Sequence, residues 1–214
     1  MKAQNFKVSF DGNVINTGEF TAAGVGTIVA TGGALSITTQ ASAANYNSVS
    51  SVPTFDLSGS AIHIQCTNAG NQALASLEVY PIELALDGSN SVFWLITANS
   101  IQAWKKIATV GSIIGSSTAY DANVHRFFRI REDGGTVYWE YSTDAVGWVV
   151  FQTELVANLF AVTNLYCVIT VGVYAAELSA TTGIFDNLNI TKTPTNTLFF
   201  KRVRPAIFTP GRAR

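Results

Sequence analysis

Cysteine, histidine and charge are all scarce in this chain, and each shortage removes a class of protein. Of 214 residues only two are cysteine and two are histidine. Cys66 continues the apolar stripe of Ile62 and Ile64, and Cys167 begins that of Ile169, Val171 and Val173. Both read as buried free thiols, which behave as small hydrophobes. One pair of cysteines is no disulfide framework, and without paired CxxC spacing a zinc site is excluded. Charged residues make up 13% of the chain and apolar residues 48%, against a usual charged share of about 25%. That excludes disorder and predicts a chain that buries much of itself and leaves some apolar surface for a partner. No apolar run approaches the roughly 20 residues that span a bilayer, so membrane insertion is not expected. Met1-Lys2-Ala3-Gln4-Asn5-Phe6 has no hydrophobic signal segment, which sets the expectation that the protein is not an ordinary secreted one. The sequon Asn189-Ile190-Thr191 is then a chance match.

Helical periodicity is nearly absent, and period-two alternation takes its place. Leu35 and Ile37 alternate with Ser36 and Thr38; Ile62, Ile64 and Cys66 alternate with His63 and Gln65; Val137, Trp139 and Tyr141 alternate with Tyr138, Glu140 and Ser142. This is the pattern of a half-buried strand. Asp11-Gly12, Gly32-Gly33, Asp87-Gly88 and Asp133-Gly134-Gly135 carry hairpin-turn chemistry. One short helix is expected from Glu154 to Phe160. The Ser-, Ala-, Asn- and Thr-rich stretch from Leu35 to Thr54 is expected to cross between sheets as a loop or edge strand. Strands at this spacing predict one all-β domain over residues 1–191, a two-sheet antiparallel sandwich.

Charge is divided unevenly. Up to residue 191 there are seven basic residues and all 14 acids, whereas residues 192–214 hold six basic residues and no acid. Pro205, Pro210 and Gly211 forbid a regular helix there, so residues 192–214 are read as an extended C-terminal arm. Phe199, Phe200, Arg202, Arg204, Phe208 and Arg212 are its candidate docking residues, since aromatic and Arg side chains anchor interfaces. Nucleic acid is not the expected partner, because the acidic body would repel a duplex.

Signatures of catalysis are lacking. A glycoside hydrolase needs two carboxylates about 5–9 Å apart. Glu78 and Glu83 are five residues apart and so face opposite ways on any continuous strand, and Asp144 belongs to a turn after Glu140. The Glu-x-Asp-x-Glu and Glu-x-Asp-x-x-Glu patterns of sandwich-fold glucanases do not occur. His125 and His63 read as structural, with no Gly-x-Ser-x-Gly elbow present. Asp87 with Asn90, and Asp121 with Asn123, match no calcium loop. No catalytic residue, metal or cofactor is expected. For glycan contact the candidates are Trp104, Lys105 and Tyr138, because exposed rings stack on sugar faces; the other tryptophans read as packing residues.

The segment His125-Arg126-Phe127-Phe128-Arg129-Ile130-Arg131-Glu132-Asp133-Gly134-Gly135-Thr136-Val137-Tyr138-Trp139-Glu140-Tyr141-Ser142-Thr143-Asp144-Ala145-Val146-Gly147-Trp148 resembles a hairpin of concanavalin A-like (laminin G-like) jelly rolls. Such hairpins occur in virion and minor tail proteins of long-tailed actinobacterial phages, and often have Asp-Gly where this chain has Asp144-Ala145. Gly183-Ile184-Phe185-Asp186-Asn187-Leu188-Asn189-Ile190 is similar to that fold's closing strand, and Arg204 to Arg214 to the Arg-Pro-rich ends of some such proteins. The resemblance implies a jelly-roll sandwich located in a virion. Its expected role is a non-enzymatic, tail-associated component, with adhesion as a further expected role and other virion proteins and its own copies as partners. The alternatives are a carbohydrate-binding module for host-surface glycans and a capsid decoration protein. Independently of the family, Arg129 and Arg131 share a strand face with Glu140 across the turn, while Val137, Trp139 and Tyr141 point into the core.

Overall fold

A computed structural model describes residues 1–190, and the arm with its docking candidates Phe199, Phe200, Arg202, Arg204, Phe208 and Arg212 lies outside the described residues. Fourteen strands follow one another: β1 (Phe20–Ala23), β2 (Thr27–Thr31), β3 (Ala34–Thr38), β4 (Asn45–Ser51), β5 (Ala61–Ala69), β6 (Leu77–Asp87), β7 (Asn90–Thr97), β8 (Ser100–Ile107), β9 (Val110–Ala119), β10 (Phe127–Asp133), β11 (Thr136–Ser142), β12 (Val149–Leu155), β13 (Tyr166–Val173) and β14 (Thr182–Asp186). They form two seven-stranded antiparallel sheets. The front sheet runs β1-β4-β13-β6-β7-β8-β9 and the back sheet β12-β11-β10-β5-β14-β3-β2. Neighbours distant in sequence, such as β4 with β13 and β5 with β14, mark the crossovers of a concanavalin A-like jelly roll.

Alternation places one face of each strand inside. Ile62 and Ile64 of β5, Phe128 and Ile130 of β10, and Val137 and Trp139 of β11 are fully buried. They meet Val92, Trp94 and Ile96 of β7 and Cys167, Ile169 and Val171 of β13. The two largest rings also tie the sheets together. Trp94 of the front sheet donates its indole N–H to the Arg129 carbonyl at 3.0 Å, and Trp139 of the back sheet donates to the Phe93 carbonyl at 3.0 Å. A buried indole needs such an acceptor, and here the acceptors are backbone atoms on the opposite sheet. The residues whose carbonyls are used, Phe93 and Arg129, present their own side chains on the two outer faces.

Two local expectations differ from what is observed. Glu154 ends a strand, and only a single 3-10 turn, Val156–Asn158, follows it; one turn is too short to nucleate an α-helix. The polar stretch from Leu35 to Thr54 contains β3 and β4, both interior to their sheets. Its buried asparagines explain this: Asn47 donates to the Asn45 side chain at 2.8 Å and accepts the Gly26 N–H, while Asn45 bonds the Gln40 and Ala43 carbonyls. Buried polar groups are tolerated when paired. Cys66 and Cys167 are free and buried.

Candidate functional site

Strand β6 lies near the middle of the front sheet, and a proline sits in its interior. Pro81 has no N–H to give a ladder, so within a sheet proline is confined to edges, strand starts or bulges. Here it makes a bulge. Tyr80 pairs with Thr170 and Glu83 with Val168, so Pro81 and Ile82 together face Ile169 alone. On the β7 side, Val79 pairs with Ile96 and Glu83 with Phe93, again one residue long on β6. The extra residue reverses the parity of the strand. Before it, Leu77 and Val79 are core residues; after it, Ile82 and Leu84 are. Glu78, Tyr80 and Glu83 therefore share the outer face. The expectation that Glu78 and Glu83 point apart is corrected, because it assumed a continuous strand. Glu78-Val79-Tyr80-Pro81-Ile82-Glu83 departs from the Glu-x-Asp-x-x-Glu pattern only in having tyrosine at its middle position.

Glu78 is held by phenols from two strands. Tyr46 of β4 donates its hydroxyl to Glu78 Oε2 at 2.7 Å, and Tyr80 donates to the same oxygen at 2.6 Å. Burial first, and then the Glu78 carboxylate, pushes both phenols well above the usual tyrosine range, so both remain O–H donors. Tyr46 reaches β6 across β13 because the residue between them is glycine. Gly172 pairs with Tyr46 on one side and Glu78 on the other, and a Cβ there would lie 2.1 Å from Tyr46 Cδ1.

Glu83 sits at the other end of the triplet, with the Lys106 ammonium 3.9 Å away. Glu83, Phe93 and Trp104 are register partners across β6, β7 and β8. The Phe93 and Trp104 rings stack at 6.0 Å and 14°, and Tyr80 meets Phe93 edge-on at 5.2 Å. Trp104 donates its N–H to Gln102 at 2.6 Å. Tyr46, Tyr80, Glu83, Phe93, Lys106 and Thr170 line a groove of about 320 Å³ across these strands. Partly exposed carboxylates beside the half-buried rings of Tyr80 and Trp104 can grip a sugar ring and act on the bond next to it.

The three glycan candidates are separated by the fold. Trp104 stands beside this groove. Lys105, its neighbour on β8, points to the inner side and pairs with Glu154 of β12 at 2.6 Å. Tyr138 lies on the outer face of the back sheet, under the Arg131 guanidinium at 4.0 Å. On that face Glu140, 3% exposed, takes Arg129 Nε on Oε2 at 2.6 Å and Arg131 Nη2 on Oε1 at 3.2 Å. Arg129 also covers Trp148 at 4.0 Å. A polar hollow of about 250 Å³ at the sandwich end includes Ser60, Arg131 and Glu132. Its charged groups are already engaged, with Glu132 accepting the Gly59 and Gly135 N–H groups. His125 is structural, its Nδ1 accepting the Asp121 N–H at 2.9 Å. Among the described residues no three His, Cys, Asp or Glu side chains gather as metal ligands.

No family model and no curated protein matches the chain. Solved structures match its fold over most of its length. The catalytic domain of an endo-1,3-β-glucanase (laminarinase) from Thermotoga petrophila RKU-1 is 10% identical with a TM-score of 0.66, covering 86% of this chain and 94% of that one. An immunostimulatory antigen and pseudo β-1,3-glucanase of Mycobacterium tuberculosis is 9% identical with a TM-score of 0.63, covering 86% and 96%. An O-glycanase structure, from work on endo-acting enzymes of the human gut microbiota that initiate mucin breakdown, is 10% identical with a TM-score of 0.63, covering 88% and 99%. At these identities the likeness establishes the fold alone, a concanavalin A-like jelly roll. It overturns the expectation of a non-enzymatic virion component: carbohydrate-active proteins, catalytic domains among them, share this architecture, and nothing supports a phage tail identity. The hairpin that prompted the resemblance is a hairpin of the fold, with no role attached to it.

Proposed function

We propose that the chain is a carbohydrate-active protein of the glycoside hydrolase type, which binds a β-linked glycan in the front groove and cleaves it with Glu78 and Glu83. The β6 bulge carries this reading, because it brings the two carboxylates to one face beside the rings. Its support from the comparisons is the glucanase and glycanase names of the fold's neighbours. Glu78 is the nucleophile: two phenols orient one of its oxygens and leave the other for reaction. Its Oε1 attacks the anomeric carbon, forming an ester bond as the glycosidic C–O bond breaks. Glu83 gives its proton to the departing oxygen. Water then cleaves the ester and returns a proton to Glu83, so configuration is retained. Trp104, backed by the buried Phe93 ring, holds the sugar on the Glu83 side.

The test is release of reducing ends from laminarin and other β-linked glucans by the full chain, with Glu78→Gln and Glu83→Gln in parallel. Cleavage that falls about a thousandfold or more in each variant is expected, since each removes an essential member of the pair. Binding of these glucans without cleavage would end the hydrolase reading and leave the groove as a recognition surface.

A further inference from the structure

Tyr46 has a geometry that a residue serving only as a hydrogen-bond donor would not need. The position of a Cβ on Gly172 lies 2.1 Å from Tyr46 Cδ1, 2.5 Å from Cε1 and 2.7 Å from Cγ. Near-equal distances to the two neighbours of the closest atom are those of a point above the ring plane; a point in the plane would lie distinctly farther from both. The ring therefore rests face-down on the bare backbone of β13. The residue is nevertheless 42% exposed, so its opposite face is open toward the groove. A ring laid flat on a sheet with one face open is the arrangement that takes the apolar face of a pyranose. Its hydroxyl is fixed on Glu78 Oε2.

We propose that Tyr46 forms a sugar subsite on the β4 side of Glu78, where one side chain both stacks on a pyranose and orients the nucleophile. The subsite lies across Glu78 from the Trp104 end of the groove, so a glycan chain spans the carboxylate pair between two aromatic contacts. Gly172 is its positioning residue: it touches neither sugar nor carboxylate, but any side chain there displaces the Tyr46 ring. The orienting half of the inference rests on the hydrolase reading; the stacking half does not.

The experiment separates the two halves. Binding of laminarihexaose is measured by titration calorimetry in Glu83→Gln protein carrying Tyr46→Phe, Tyr46→Ala or Gly172→Ala, and turnover is measured with the same three changes in the otherwise native chain. Tyr46→Phe keeps the ring, so its Kd stays within about twofold. Its kcat falls about 10- to 100-fold, as for loss of a hydrogen bond to a charged group, with KM unchanged. Tyr46→Ala weakens binding about tenfold as the stacked ring is lost. Gly172→Ala weakens it equally while removing no atom of Tyr46. Native affinity in Tyr46→Ala overturns the subsite, and a native kcat in Tyr46→Phe overturns the orienting role. If the native chain turns over no glucan yet Tyr46→Ala binds tenfold more weakly, the subsite stands and the hydrolase reading falls. Thermal unfolding of each variant confirms that the sandwich is intact.

Discussion

The two outer faces of the sandwich are built from the same kinds of residue and do different things with them. On the back face Glu140 is nearly buried, and both of its oxygens are taken by guanidinium groups. Those cations are capped in turn by Trp148 and Tyr138. On the front face two hydroxyls share one oxygen of Glu78, and Glu83 has a single ammonium at 3.9 Å. A carboxylate with both oxygens engaged is a structural member; one with an oxygen left over is free to bind or react. Saturation of the hydrogen-bonding groups separates scaffold from site here, since residue type does not.

The sharpest way to break this contrast is to remove a carboxylate from each face. Glu78→Gln is expected to abolish glycan cleavage while shifting unfolding free energy by no more than about 1 kcal/mol, because the amide keeps an oxygen that accepts the same two hydroxyls. Glu140→Ala is expected to cost about 2–4 kcal/mol, leaving two arginines over a buried gap, with cleavage intact in the folded protein. Denaturant unfolding and reducing-end release measure both quantities; equal stability losses at the two positions would erase the distinction. Next in size is a pH effect on the back face. Burial, aided by the Arg129 and Lys7 charges, lowers His63 to about 4, against about 6.5 unfolded. The unfolded chain thus takes up a proton that the folded chain refuses. Stability is complete above pH 6.5 and declines by up to about 3 kcal/mol as pH falls toward 4. His63→Gln should flatten that decline in denaturant titrations at pH 7.5, 5.5 and 4, and an unchanged slope would assign it to other groups. On the front face, Trp104→Ala should weaken laminarihexaose binding about tenfold by calorimetry, consistent with loss of one stacked ring. The smallest effect is expected at Ala145. It holds φ at +62°, a conformation that costs a residue bearing a Cβ and that glycine adopts freely. Ala145→Gly should raise stability by about 0.5–1 kcal/mol in thermal unfolding without touching either face.

Most of the back face could be read from the chain. Alternation across Asp133-Gly134-Gly135 predicts Arg129, Arg131 and Glu140 on one side and Val137 and Trp139 on the other, and the observed register, Arg129 with Glu140 and Ile130 with Trp139, agrees. A hairpin is local, so a two-residue period and a turn suffice to fix it. The front face is not local. Tyr46, Gly172 and Glu78 come from three strands far apart in the chain and meet only through sheet order, which no alternation pattern specifies. The carboxylate pair is hidden for a different reason: a strict two-residue period continued through Pro81 assigns Glu83 to the wrong face. Pro81 was the available signal, since a proline inside a run as apolar as Leu77 to Leu86 belongs to a bulge, and one extra residue turns a spacing of five into a shared face. Trp104 was legible as a surface ring. Its neighbour Lys105 was not separable from it without knowing that β8 turns alternate residues to opposite sides.

The bulge in β6 also protects the spacing it creates. Straightening β6 with both residues kept, so that the ladder ran on from Tyr80 with Pro81 alone opposite Ile169, would send Glu83 into the core and turn Leu84, fully buried here, out to solvent. The cost would include an unpaired buried carboxylate and a lost core contact, on the order of several kcal/mol. The register that exposes the carboxylates is thus the same one that fills the sandwich with leucine and isoleucine. As long as the chain folds in this register, positions 78 and 83 share one outer face whatever residues occupy them, so the chemistry of that face can change by substitution without disturbing the core.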